Sequence, residues 1–154
     1  MERIDTPIRP ITFIERIQDS VKEATGITLH YASADEINVI LDRNPLPCAF
    51  LFLLKEGNLI VDNGRYREQA NFAVFFVDRT DYDFNTEDNE RIIHACKLNA
   101  YKWLTYMRRN NKLRITSINS STRIYDKFDA IVTGYGVNVT ISELQGINPD
   151  CSEQ

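Results

Sequence analysis

The sequence predicts one α+β domain: a mostly antiparallel sheet carrying two main helices, in the order α-β-β-β-α-β-β. Three observations carry that expectation. Two stretches, near residues 12–25 and 86–110, repeat apolar residues at helical spacing. Two neighbouring runs, "CAFLFLL" and "ANFAVFFV", are apolar at every position and joined by a turn-rich segment. After the second helix the chain alternates, most clearly in "VNVTIS". Residues 1–154 form a single domain on this reading, with 1–10 as an extended arm and 145–154 as a flexible tail.

The first helix begins at Thr12, whose spacing to Glu15 is that of a capping box. Ile14, Ile17, Val21 and Ala24 form its buried stripe, and Gly26 is placed to end it. "ITLHYA" (27–32) alternates as a short strand. "DEINVIL" (35–41) reads equally as a helical turn or an irregular strand, and "NPLP" (44–47) is a break. "CAFLFLL" (48–54) points Cys48, Phe50, Phe52 and Leu54 one way and Ala49, Leu51 and Leu53 the other. Residues 55–68 read as a hairpin connection. Asn63-Gly64 is its better turn, because both residues tolerate positive φ. "ANFAVFFV" (70–77) again has two apolar sides.

In the long helix, Ile92, Cys96, Trp103 and Met107 make one stripe, flanked by Ile93, Ala95, Ala100 and Leu104. Strands are expected after it at 113–118, 122–128 and 129–144, two or three in all. In the last, Val137, Val139 and Ile141 alternate with Asn138, Thr140 and Ser142, which predicts one wet face. Gly134 and Gly136 invite a bulge or bend before it.

Composition excludes several function classes. A net charge of −4 gives no general attraction to nucleic acid or anionic membrane. The longest apolar run, "PLPCAFLFLL", is about half of the ~20 residues a membrane-spanning helix needs. Cys48, Cys96 and Cys151 are odd in number and widely spaced, which argues against a disulfide framework and for a reducing compartment. "MERIDTPIRP" lacks the apolar core of a secretory signal. A cytoplasmic protein is expected.

The acids of "DRTDYDFNTEDNE" pose the main chemical question. Asp81, Asp83 and Asn85 match positions 1, 3 and 5 of a calcium loop, but its required Gly and Glu are replaced by Thr86 and Ile92. A helix entrance fits better, with Asn85 or Thr86 as cap and Glu87, Asp88 and Glu90 in the first turn, where the dipole favours anions. A metal-dependent nuclease of the restriction-endonuclease type needs an acid on one strand and Glu/Asp-x-Lys on the next. "REQANFAVFFVDR" contains no Lys, and Asp62 and Glu68 fall in the turn region. Cys48 and Cys96 read as core residues, and His94 as a surface partner of Glu90. No catalytic residue, cofactor-binding residue or metal ligand is assigned.

Two basic patches remain, "RYR" (65–67) and "YMRRNNK" (106–112). Both read as solvated surface, though Tyr and Arg are also enriched at protein interfaces. The two central strands want cover on both faces. The C-terminal strands fold across, the helices divide between the faces, or a second copy covers what is left. The last is the reading preferred, and it predicts a homo-oligomer. The surface expected to meet neighbours includes Arg65, Tyr66, Arg67, Phe75, Val77 and Tyr82.

Over residues 12–142 the chain resembles the bacteriophage tail terminator and tail completion proteins. The resemblance lies in the first helix, "PCAFLFLL", "FAVFFVDRTDYDFN", "IIHACKLNAYKWLTYM" and "DAIVTGYGVNVTISEL". It implies a non-enzymatic subunit without a cofactor, in a ring, six copies being typical, that caps the tail tube and meets the head connector. It also implies the host bacterial cytoplasm and the virion as locations, and contacts to the tube or a neighbour through the 55–68 hairpin. The competing readings are a small metal-dependent nuclease-like enzyme and a generic protein-binding module.

Overall fold

The computed structural model describes residues 11–80, 85–127 and 132–149. Its elements are α1 (Phe13–Thr25), β1 (Leu29–Tyr31), a 3-10 turn (Ala34–Glu36), α2 (Ile37–Arg43), β2 (Cys48–Asp62), β3 (Arg65–Arg79), α3 (Thr86–Met107), β4 (Leu113–Lys127) and β5 (Val132–Glu143). The fold is α+β, with a five-stranded sheet in the order β1-β2-β3-β5-β4. The sheet is mixed: β1 pairs parallel to β2, and the other pairings are antiparallel. The expected order lacked one element. "INVILDR" is a helix, so among the described residues a short third helix joins the two main ones.

Local chemistry sets the helix ends. Thr12 accepts from Glu15 N and its own N–H reaches the Glu15 carboxylate, a complete capping box. The helix stops at Gly26 in the left-handed conformation. The acidic cluster resolves in the same way. Asn85 Oδ1 accepts from Asp88 N at 2.9 Å, and the Asp88 carboxylate accepts from Asn85 N at 3.1 Å. Asn85 therefore caps α3. Asp81, Tyr82 and Asp83 lie outside the described residues.

The helices divide between the faces of the sheet. On one face α1 and α3 cover Ala49, Leu51, Phe72, Val74, Phe76, Val139 and Ile141. Trp103 of α3, fully buried, donates its indole N–H to Ser20 Oγ of α1 at 2.9 Å. Tyr106 also donates to Glu23 across the same helix pair. On the other face Ile37 and Leu41 of α2 cover Cys48, Phe50, Val77, Ile124 and Val132. Beyond the reach of α2 that face turns polar. Asn71 Nδ2 donates to Asn138 Oδ1 at 2.7 Å and to the Val139 carbonyl at 3.0 Å, and Asn119 reaches Asn138 at 3.2 Å. The wet face expected from "VNVTIS" is this amide-lined strip, although Ser142 on it is buried.

The expectation that Val77 faces a neighbour is corrected here: it is 1% exposed, under α2 of its own chain. Phe75 is half-buried and packs edge-on against Phe52 at 5.5 Å. The central strands thus hide most of their second face without another copy. The reason is α2, whose two apolar residues one turn apart suffice for one end of the sheet.

Three strand readings also change. Residues 55–68 do not form a mere connection; they extend β2 and β3 to a two-residue turn at Asn63-Gly64, with φ of 52° and 75°. Residues 113–127 form one bulged strand rather than two. The "GYG" glycines serve close approach instead of a bend in β5. The β3–β5 register runs unbroken past them, and a Cβ on Gly136 would sit 2.1 Å from a Phe75 ring carbon.

Candidate interaction surface

The turn end of the β2–β3 hairpin is largely exposed. β1 pairs with β2 only at Ala49, Phe50 and Leu51, so the outer edge of β2 from Leu53 to Asp62 has no strand beside it among the described residues. Two register shifts, at Leu53/Lys55 and Glu56/Leu59, bend this arm. Among the exposed Lys55, Glu56, Asn58 and Asp62 it nevertheless carries apolar side chains that face outward. Leu59 is 63% exposed and Val61 60%, with Leu53 and Leu54 also exposed. The opposite sheet edge, β4, is bulged as well, but around one exposed Ile118 it presents Ser117, Asn119, Ser120, Ser121 and Thr122. Polar, bulged edges resist pairing with other chains; an open edge bearing Leu and Val invites it.

A second apolar patch lies on the far side of α3. Leu98 and Tyr101 are exposed there and border a shallow groove of about 500 Å³ that reaches Ala24 and Tyr106. The sequence reading did not single out this patch; Leu98 and Tyr101 fall outside the apolar band made by Ile92, Cys96, Trp103, Met107 and their flanking residues.

Beside the arm is a cleft of about 850 Å³. Its charged wall is Arg16 from α1, Asp62, Arg65 and Arg67 from the hairpin, Lys112 before β4, and Glu143 at the end of β5. Arg67 donates to the Glu143 carbonyl and Arg65 to the Gly146 carbonyl, each at 3.2 Å. Tyr66 exchanges both backbone hydrogen bonds with Ile147 at 2.9 Å, which straps residues 144–147 along the hairpin. Glu143 accepts from Glu68 N at 2.7 Å. Burial raises the Glu143 pKa first, and neighbouring Glu68 adds to this; the hydrogen bond from Glu68 N, Arg16 and Arg67 pull it back.

The sequence-level candidates thus meet in part. Arg65 and Arg67 line the cleft and Tyr66, 44% exposed, straps its edge. Lys112 joins them from the second basic patch, while Arg108 and Arg109 stand exposed outside its lining. Phe75 and Val77 belong to the α2 side, and Tyr82 lies outside the described residues. Arg16 and Glu143 were missed because nothing local marks them; only the folded sheet brings them to the hairpin.

Among the described residues, no three or more His, Cys, Asp or Glu side chains form a group that could hold a metal ion. Burial and the nearby Asp78 carboxylate push the Cys48 thiol up to about 11 and the Cys96 thiol up to about 12, which keeps both protonated and weakly nucleophilic. His94 is exposed on α3, and Glu90 pairs with Arg123 of β4. Burial lowers the pKa of His30, which packs 5.8 Å from the Phe50 ring. No helix among the described residues is long and apolar enough to cross a membrane.

The fold and these surfaces define a small α+β chain with an open β-arm, an exposed apolar helix face and a charged cleft. No protein-family model matches the chain, and no curated protein matches it.

Proposed function

We propose that the protein is a non-enzymatic assembly subunit of the tail terminator kind, which forms a ring, caps a phage or prophage tail tube and joins it to the head connector. The single observation that carries the assembly reading is the open β2 edge with Leu59 and Val61 outward. Exposed apolar edges are liabilities that proteins cover, and a partner subunit is the usual cover. The arm and the Leu98–Tyr101 face are unlike patches on different elements, β2 and α3. Contact between unlike patches is head-to-tail, and a head-to-tail contact closes into a ring when its rotation permits. The tube and connector as partners rest on the family resemblance alone. A host-cytoplasmic and virion location follows from the same reading.

Light scattering of the purified protein at tens of micromolar, alone and with tail-tube subunits, tests it. The expected result is a closed multimer, formed alone or on the tube. A monomer under both conditions would overturn the reading. Cleavage of DNA with magnesium would favour the nuclease-like alternative instead.

A further inference from the structure

Directly opposed residues of an antiparallel pair share a face of the sheet, as do alternate residues of one strand. The register sets Leu59 opposite Glu68, Val61 opposite Tyr66 and Glu56 opposite Ala70, and Ile147 bridges to Tyr66 from beyond β5. One face of the arm thus presents Leu59, Val61, Tyr66 and Ile147 with the carboxylates of Glu56 and Glu68, all of them exposed. Arg65 and Arg67, at the alternate positions of β3, belong to the other face. The exposed apolar patch on α3 carries the opposite charge. Leu98 and Tyr101 stand at helical spacing from Lys102, Arg108 and Arg109, all exposed. An acid, Glu23, also lines that groove, and it accepts a hydrogen bond from Tyr106.

We infer that the arm of one copy seats on the α3 groove of the next, with Leu59 and Val61 against Leu98 and Tyr101, and with Glu56 and Glu68 towards Lys102 and Arg108. This contact rests on the assembly reading and names the surfaces that meet in it. Apolar burial alone would let either patch meet its own kind. Charge selects among the three contacts. Two arms face to face would gather the Glu56 and Glu68 carboxylates of both copies, and two helix faces would gather both sets of Lys and Arg. An arm on a groove sets opposite charges together.

Sedimentation velocity on single and mixed variants tests the contact. Leu59→Asp with Val61→Asp blocks the arm, and Leu98→Asp with Lys102→Glu blocks the groove. These side chains are exposed, so the variants should stay folded, as circular dichroism will check. Each variant alone should associate at least about tenfold more weakly than the wild type, since like charges opposed across a contact are strongly disfavoured. Mixed, they should form a one-to-one heterodimer that grows no further, because one intact arm meets one intact groove. A contact of arm with arm, or of groove with groove, gives no such heterodimer. By charge alone, Glu68→Lys should weaken association, and Lys102→Glu in the same chain should restore it. A groove-blocked variant that associates as well as the wild type, or a mixture that stays monomeric beside an associating wild type, overturns this contact and leaves the assembly reading standing. A wild type that is monomeric at hundreds of micromolar also overturns the contact, and the tail-tube experiment then decides the assembly reading.

Discussion

The indole N–H of Trp103 donates to Ser20 Oγ at 2.9 Å, and that hydroxyl donates in turn to the Ile17 carbonyl at 2.6 Å. This buried relay ties α3 to α1 over the main core and uses the chain's one tryptophan. Buried polar groups without partners are costly, so each member depends on the others. Ser20→Ala removes the acceptor and leaves the indole N–H dry. It is expected to lower stability by about 1–3 kcal/mol. Trp103→Phe removes the donor but also opens space in the core. The double variant should lose less than the sum of the two, because the orphaned donor is gone. Urea unfolding followed by circular dichroism checks all three; strict additivity would mean that the hydrogen bond contributes nothing.

The arm gives a prediction with the opposite signature. Leu59→Asp with Val61→Asp alters exposed side chains whose partners in the chain are few. Folding stability should move by no more than about 0.5 kcal/mol per site. Association should fall sharply, because charge on an exposed strand edge is how proteins discourage pairing. Sedimentation velocity and thermal melting together separate the outcomes. Loss of the fold would show that the arm belongs to the core, and unchanged association would point to another contact.

The features legible in the sequence were those set by neighbours along the chain. Thr12 with Glu15, Asn85 with Asp88, and Asn63-Gly64 each complete their chemistry within four residues. The two-sided runs also told correctly that both sheet faces need cover. What covers the second face was not legible. α2 has seven residues, no side-chain cap and only Ile37 and Leu41 buried, too little periodicity to tell from a strand. β4 was split at "INSS" because polar residues interrupt its pattern, whereas its pairing with β5 holds it as one strand. The cleft was hidden for a topological reason: β3 and β5 are adjacent in the sheet but far apart in sequence, so Arg67 and Glu143 meet only after folding.

The two described cysteines make stability fall with rising pH. Their folded values lie at about 11 for Cys48 and about 12 for Cys96, against an ordinary value of 9.0. Above pH 9 the unfolded chain releases these protons first, so it binds fewer protons than the native state and gains in relative stability. The contribution of both thiols is therefore intact below pH 9 and is lost as pH climbs towards 11 and 12. Tyr106 adds in the same direction, because its hydrogen bond to Glu23, above all, raises its pKa. Urea midpoints measured between pH 7 and pH 10 should decline above 9, and Cys96→Ala should make the decline shallower. In a Cys151→Ser background, iodoacetamide should label Cys48 and Cys96 only when urea opens the core; rapid labelling of the folded protein would contradict their burial.

Asn85 separates the two meanings of the acidic passage before α3. As a helix cap it satisfies Asp88 N at 2.9 Å and stands opposite the Asp88 carboxylate in a closed reciprocal pair. As part of a calcium loop it would instead direct its carbonyl oxygen at an ion. The capping role predicts that Asn85→Ala lowers stability by about 0.5–2 kcal/mol, while Asn85→Asp and Asn85→Ser keep most of it, since each offers an oxygen to the same N–H. The loss should be equal in excess EDTA and in millimolar calcium. A wild-type melting temperature that rises with calcium, and a variant that no longer shows the rise, would transfer the passage from helix entrance to metal site. The Asp88–Arg91 pair at 3.0 Å sits one turn on and is exposed at Arg91, so it contributes little either way.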